Sequence, residues 1–204
     1  MERIPLSTQT KMKLIDNNLR SFYVKGRLPQ WAIWSFAAVL FCIAWWIVSI
    51  WARHAALAEL SKYTDTWDDA GILEQETNYT CVPASMVMLL KDQGIDTTTY
   101  DVAVATGTDI RGTGGSGIIR AGKQFGFTVE HAHIGFNEFM KRGLPGILIF
   151  RSKGIRHAAY VLPLTDVGYI QVKDPVQGLL NFDKSGADDY FEKSTWDVYL
   201  FKKT

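Results

Sequence analysis

Residues 75–90 read QETNYTCVPASMVMLL, and this stretch decides how the second part of the chain is expected to fold. Its polar half ends at Cys81, and the apolar run that follows is typical of a buried helix. A helix is therefore predicted from Cys81 to about Gln93, with Gly94 as the residue that ends it. Unpaired amides and the helix dipole favour negative charge at a helix N-terminus, so a thiol at position 81 is easier to ionise.

The other elements of this part of the chain are predicted from apolar spacing and from glycine stops. Further helices are expected from Thr98 through Val104, over roughly Gly117–Gln124 and over Phe136–Lys141. Strands are expected over Gly146–Arg151, His157–Leu164, Tyr169–Val172 and Leu179–Phe182, and a solvated loop from Lys184 to Glu192. Helices first and a mostly antiparallel sheet later indicate an α+β fold.

Three other polar residues are candidates to act with Cys81 in catalysis. Gln75 precedes it by six positions, and His157 and Asp174 follow on adjacent predicted strands. A lone cysteine is commonly a small buried hydrophobe, but an imidazole can hold a thiolate as an ion pair and later protonate a leaving amine. Asp174 would orient the imidazole, and Gln75 would donate to the oxyanion beside the amide of Cys81. The order Gln, Cys, His, Asp is the papain-type arrangement, which predicts a cysteine peptidase that needs no cofactor or metal.

Four blocks of sequence resemble the bacteriocin-processing, double-glycine-leader cysteine peptidases, a papain-like family. The blocks are QETNYTCVPASMVMLL at 75–90, TGTDIRGTGGSGIIRAGKQFGF at 106–127, RHAAYVLPL at 156–164 and KDPVQGLLNF at 173–182. The resemblance implies a papain-like α+β fold and cleavage of a peptide or small-protein precursor after a Gly-Gly pair. It also implies the four site roles assigned above and an exporter or secretion partner. Family members usually have glycine after the nucleophile, where this chain has Val82.

Residues 31–51, WAIWSFAAVLFCIAWWIVSIW, contain no charged side chain. At about 1.5 Å per residue they reach roughly 31 Å, the thickness of the hydrocarbon core of a bilayer. Tryptophans at both ends suit the membrane interfaces. A buried core helix and a cleaved signal peptide are the alternatives, the latter because Ala56 and Ala58 resemble a cleavage site. A retained span is favoured, since the apolar run exceeds that of a signal peptide.

Flanking charge predicts the orientation of this span and the organisation of the chain. Six basic residues precede it, namely Arg3, Lys11, Lys13, Arg20, Lys25 and Arg27, whereas Arg53 and Lys62 alone follow closely. Because positive flanks stay in the cytoplasm, the N-terminus is expected inside and the larger part outside. The expected organisation is a cytoplasmic segment at 1–30, an anchor at 31–51, a linker at 52–70 and a peptidase domain at 71–204.

Composition excludes some other classes of protein. The chain has 22 basic and 21 acidic side chains and a net charge of +1, with no Lys/Arg block that would suit a polyanion such as nucleic acid. Two cysteines cannot form a disulfide framework. A single bridge between Cys42 and Cys81 is not expected, since Cys42 lies in the apolar segment.

Three other motifs carry weaker signals. Gly112, Gly114 and Gly117 form a GxGxxG pattern, but no clear strand precedes it, so a turn beside a peptide cleft is favoured over a dinucleotide loop. His131 and His133 alternate on a possible strand, but no third metal ligand is suggestively spaced, which favours surface or structural histidines. Asn78-Tyr79-Thr80 fits a glycosylation acceptor, yet a glycan there would obstruct the nucleophile.

Two alternatives to a membrane-anchored endopeptidase stay open. One is a peptidase-like module that binds a leader peptide or an exporter without cutting, although such modules typically lose the cysteine or the histidine. The other is a cell-wall amidase, which the predicted external location suggests. Amidases of this kind commonly carry a second histidine where Asp174 stands and lack a glutamine six residues before the nucleophile.

Overall fold

The computed structural model describes residues 29–152, 154–191 and 195–204. Its helices are α1 (Gln30–Leu60), α2 (Cys81–Asp92), α3 (Thr99–Thr106), α4 (Gly115–Gln124), α5 (Phe136–Arg142) and α6 (Lys184–Tyr190). Its strands are β1 (Phe127–Ile134), β2 (Gly146–Ser152), β3 (Ile155–Leu164), β4 (Tyr169–Asp174), β5 (Gly178–Phe182) and β6 (Trp196–Lys203). The predicted cytoplasmic segment, residues 1–30, lies outside the described residues except for its last two.

The six strands form one antiparallel sheet in the order β1-β6-β2-β3-β4-β5. Among the described residues, four helices precede the first strand of this sheet, so the predicted α+β class is confirmed. The C-terminal strand β6 lies between β1 and β2. Because β6 pairs with β1 along its whole length, it brings side chains from the end of the chain beside residues of β1 that lie more than sixty positions earlier.

Apolar side chains alternate between the two faces of the sheet, and each face is covered by helices. On β3, Ala158 and Tyr160 belong to the core shared with α2, α3 and α4, while Ala159 and Val161 belong to the core shared with α5 and α6. Successive side chains of a strand point to opposite faces, which explains the division. The middle of β3 is therefore buried on both sides, and α2, which begins at Cys81, packs against it.

The chain divides into two compact units, Met1–Val48 and Ser49–Thr204. Among the described residues, α1 is the helix that is long and apolar enough to cross a membrane, by length and composition. Within the second unit, the side chains of Ala52, Ala56 and Leu60 near the end of α1 are buried. The domain boundaries predicted from the sequence stay predictions.

Two strands and one helix differ from the sequence-based prediction. The part of the chain that the structure describes has six strands instead of the predicted four, and the additional ones are β1 and β6, which pair with each other. The solvated loop predicted from Lys184 is wrong as far as Tyr190, because α6 lies there; Glu192 is outside the described residues. Asp183 caps α6 by accepting a hydrogen bond from the amide of Gly186 at 2.8 Å, and Ala187 is fully buried.

The GxGxxG pattern has a packing explanation at its last glycine. A Cβ atom on Gly117 would lie 2.1 Å from the backbone oxygen of Thr106, because α3 and α4 approach closely there. Glycine is thus required for the close contact between the two helices.

Gly117→Ala is expected to lower the free energy of unfolding by about 1–3 kcal/mol, since a backbone atom cannot move away as a flexible side chain can. Helix propensity alone would give the opposite sign, a gain of about 1 kcal/mol. Urea unfolding of the purified chain measures the change. Ser116→Ala, at an exposed position of the same helix, is the matched control and should be nearly neutral. A stabilised Gly117→Ala variant would contradict the close packing of α3 and α4.

Candidate active site

Cys81 is the first residue of α2 and is half-buried. The N-cap residue, Thr80, makes no side-chain hydrogen bond to the helix amides. Its hydroxyl instead accepts from the amide of Thr77 at 3.1 Å and donates to the carbonyl of Thr77 at 3.0 Å. The amides of the first turn therefore keep their positive field for the side chain of Cys81.

His157 lies on β3 and interacts with Cys81. Both residues line one small cavity, with a volume of about 90 Å³. Burial works against a charged imidazole, but hydrogen bonds to Asp174 and to Cys81 outweigh it and raise the pKa of His157 to about 9. The ring also packs edge-on against Phe150, with centroids 5.3 Å apart. The arrangement favours an imidazolium next to Cys81 at neutral pH.

Asp174, the last residue of β4, fixes the other side of the imidazole. Its Oδ1 lies 2.9 Å from Nε2 of His157 and also accepts from the amides of Val176 at 2.8 Å and Gln177 at 3.1 Å. Its Oδ2 accepts from the hydroxyl of Tyr190 at 3.0 Å. Although the carboxylate is fully buried, and burial alone would raise its pKa, the hydrogen bonds to His157 and to the two amides hold that pKa below its usual value. Asp174 is therefore an anion locked in position.

Gln75 is anchored beside this pair. Its amide donates to the carbonyl of Pro175 at 3.1 Å, and Gln75 and Asp174 line the same open cavity. Its side-chain Oε1 is buried and has no hydrogen-bond partner among the residues that the structure describes. The structure thus brings Cys81, His157 and Asp174 into one chain of contacts and places Gln75 next to its end.

The small cavity at Cys81 is bordered by the loop that precedes α4. Gly112 and Thr113 line it opposite His157, together with Asn78, Tyr79, Val82, Arg111, Ile149, Arg156 and Ala158. The loop is closed by hydrogen bonds between Asp109 and Gly112, and Gly112 has a φ of 103°, which favours glycine. The prediction of a turn beside the cleft agrees with this position.

Two aromatic residues of the site carried no recognisable signal in the sequence. Tyr190 lies in the segment predicted as a loop, yet its hydroxyl bonds to the buried carboxylate of Asp174. Tyr79 lines the cavity, and its hydroxyl donates to Oε2 of Glu59 at 2.6 Å, near the end of α1. Such contacts join residues that are distant in the sequence, so no local sequence pattern indicates them.

One group of described residues is spaced for a metal ion, and it lies away from Cys81. It consists of His131 and His133 on β1 and Asp197 on β6, with ligand atoms within 4.8 Å of one another. Both histidines are exposed, and the sequence, which favoured surface or structural roles for them, suggested no third ligand. The pairing of β1 with β6 supplies it.

Known proteins share the family and the fold of this chain. A model described as the peptidase C39 family matches residues 69–195. The structure resembles that of a double glycine motif protease from an AMS/PCAT transporter in complex with the leader peptide. Those two chains are 19% identical, with a TM-score of 0.55 over 65% of this chain and 91% of that one.

A second similar structure is the peptidase domain of Streptococcus ComA, a bi-functional ABC transporter involved in a quorum sensing pathway. It is 18% identical, with a TM-score of 0.54 over 65% of this chain and 98% of that one. No curated protein matches this chain. At such identities the likeness concerns the fold, and the predicted papain-like α+β fold is confirmed.

Proposed function

Because this chain belongs to the peptidase C39 family, as its motifs predict, we propose that it is a cysteine endopeptidase that cuts a peptide or small-protein precursor after a double-glycine leader. In this proposal Cys81 is the nucleophile, His157 the acid and base, Asp174 the residue that orients His157, and Gln75 an oxyanion donor. The observation that carries it is the contact of Cys81, at a helix N-terminus, with a histidine held by a buried carboxylate.

The chemistry begins from the Cys81 thiolate and the His157 imidazolium. Sγ attacks the carbonyl carbon of the second leader glycine, and the amide of Cys81 and the side-chain amide of Gln75 donate to the oxyanion. When the C–N bond breaks, His157 gives its proton to the leaving amine. Water then gives a proton to His157 and its hydroxyl to the acyl carbon. The C–S bond breaks, which releases the leader acid and restores the ion pair.

The shape of the cavity supports a preference for glycine. Its volume of about 90 Å³ is small, and the side chains of Tyr79, Val82 and Ile149 border it. Residues that lack a Cβ atom occupy such a space without displacing its walls. The similar protease described above is a double glycine motif protease in complex with the leader peptide, which points to the same substrate class.

Replacing either glycine of the leader by alanine is expected to lower kcat/KM by about 10- to 100-fold, because each added methyl group must displace a cavity wall. The measurement uses the purified chain and synthetic precursors that end their leader in Gly-Gly, Gly-Ala, Ala-Gly or Ala-Ala. A precursor altered two residues downstream of the scissile bond is the matched control. Equal rates for Gly-Gly and Ala-Ala would contradict double-glycine specificity. Tight binding of all four without cleavage would indicate a binding module.

We also propose that α1 anchors the chain in the cytoplasmic membrane through residues 31–51, with the N-terminus inside and residues 71–204 outside. The support is the uncharged, exposed part of α1 at residues 31–51, together with an excess of basic residues before it. An exporter or another secretion protein is the partner that such a location suggests. A reporter that is active on one side of the membrane, fused after Thr204, tests the orientation. Activity on the cytoplasmic side alone would refute it.

A further inference from the structure

We propose that His131, His133 and Asp197 form a binding site for a divalent ion of the zinc class on the sheet, separate from the Cys81–His157 pair. The three side chains share one face of the strand pair β1 and β6. His133 and Asp197 are direct partners in the register, and His131 lies two residues along β1 from His133. Directly paired residues point to the same side of a sheet, as do residues two apart on one strand.

The three groups already converge. One ligand atom from each lies within 4.8 Å of the other two, and Nε2 of His131 contacts Oδ1 of Asp197. Zinc bonds to nitrogen and carboxylate oxygen of about 2.0–2.2 Å place tetrahedral ligand atoms roughly 3.3–3.5 Å apart. Side-chain rotation alone can close the remaining gap. The backbone need not move, because the register of β1 and β6 sets the Cα positions.

Neighbouring rings restrict the orientation of His131. It stacks on Tyr199 with centroids 4.5 Å apart and an interplanar angle of 12°, and it meets His133 at 5.0 Å. Tyr199 is directly opposite His131 in the register and is itself buried. One of the two imidazoles is therefore positioned before an ion arrives, which lowers the cost of binding.

The donor set selects the kind of ion. Two imidazoles and one carboxylate suit Zn²⁺ and its borderline neighbours, whereas Ca²⁺ and Mg²⁺ prefer sites made of oxygen. Three protein ligands leave a fourth position for water or for a donor from another molecule. The side chains of His131 and Asp197 are 38% and 35% exposed, so an ion can enter from solvent. A bound ion would take the place of the contact between Nε2 of His131 and Oδ1 of Asp197.

The site lies one strand away from the candidate active site. Ile149 on β2 pairs with Asp197 on one side and with Ala158 on the other. The same residue lines both the cavity that contains Cys81 and His157 and the cavity that contains His133 and Asp197. Ile149 would therefore be a neighbour of both the bound ion and the candidate active site.

The test uses the full chain in detergent with both cysteines replaced, Cys42→Ala and Cys81→Ala, so that no thiol binds the ion. Metal-free protein is titrated with Co²⁺, followed by visible absorption, and then with Zn²⁺ by calorimetry. We expect one ion per chain. Loss of a residue that only hydrogen-bonds to a metal ligand typically lowers metal affinity by about 10- to 100-fold. Loss of a ligand itself should cost more, so His131→Gln, His133→Gln and Asp197→Asn should each weaken binding by at least about 100-fold. His54→Gln, at an exposed histidine of α1, should leave affinity unchanged.

Equal affinity in His54→Gln, His131→Gln and Asp197→Asn would overturn the proposal, as would the absence of a bound ion in the parent chain. Thermal unfolding of the metal-free variants shows whether each one folds. If a variant does not fold, a protection measurement on the parent chain still tests the proposal. Zn²⁺ should protect His131 and His133, but not His54, from diethyl pyrocarbonate, as read by mass spectrometry. Equal modification of the three histidines with and without Zn²⁺ would also overturn it.

Discussion

Replacing Cys81 by alanine is expected to abolish cleavage of a Gly-Gly precursor, with a loss of at least about 10⁴-fold in kcat/KM. The proposed reaction needs an acyl bond to Sγ, and no described residue that lines this cavity offers a second nucleophilic thiol. The half-buried position at the start of α2 tolerates a smaller side chain, so the variant should fold and still bind the precursor.

Cys42→Ala is the matched control for this prediction. Cys42 is the other free thiol of the chain and is exposed on α1. Its replacement should leave kcat/KM unchanged. Full activity of Cys81→Ala, or an equal loss in both variants, would remove Cys81 from the reaction. Precursor bound by Cys81→Ala but left uncut would support the assigned role.

Asp174→Asn is expected to lower kcat/KM by about 10²- to 10⁴-fold, the range seen when a histidine loses the carboxylate that orients it. Asparagine keeps the shape and an acceptor for the amides of Val176 and Gln177. It removes the negative charge that faces Nε2 of His157. The hydrogen bonds to Asp174 and Cys81 raise the pKa of His157 to about 9 against the effect of burial. Without this charge the pKa of His157 should fall. The alkaline limb of the pH profile of kcat/KM should therefore shift to lower pH in the variant.

The difference in the free energy of unfolding between the parent and Asp174→Asn should also depend on pH. The pKa of His157 is raised in the folded chain, from 6.5 to about 9. Its stabilising contribution is therefore complete below about pH 6.5 and is lost as the pH rises through about 9. The difference in unfolding free energy between parent and variant should shrink over this window, as measured by urea unfolding at several pH values.

Tyr190→Phe is the control for this second prediction, because it removes a hydrogen bond to Oδ2 of Asp174 and leaves the contact with His157 in place. Its effect on kcat/KM should be much smaller than that of Asp174→Asn. A pH profile of Asp174→Asn that coincides with that of the parent would contradict the proposed role of the carboxylate.

Local patterns predicted α2 well, and with it the placement of Cys81. The apolar run after Cys81 and the glycine at position 94 are signals that lie within a few residues of the element they define. The same holds for most of β3, where an unbroken apolar run ends in a turn. The order of His157 and Asp174 along the chain suggested that they pair. The register of β3 and β4, which brings them together, could not be derived from the sequence because of the loop between the two strands.

The elements that local sequence patterns did not predict are β1, β6 and α6, and they were missed for one physical reason. In β1, residues 127–134 are polar at several positions, and β6 carries a carboxylate and lysines, so neither shows a clean period of two. The short helix α6 is polar and buries Ala187 alone among its residues. These elements are stabilised by long-range pairing and packing, and Asp197 reaches His133 through such a pairing. A pattern read along the chain does not contain that information.

The proposed function requires that the substrate acylates Sγ of Cys81 with help from His157. A leader peptide that ends in Gly-Gly and carries a thiol-reactive electrophile in place of the scissile carbonyl measures this directly. Mass spectrometry of the full chain should find one peptide attached, at Cys81, with labelling slowed by at least about 100-fold in His157→Gln and with Cys42 unlabelled. Labelling of Cys42 at the same rate, or labelling of Cys81 that does not depend on His157, would contradict the account.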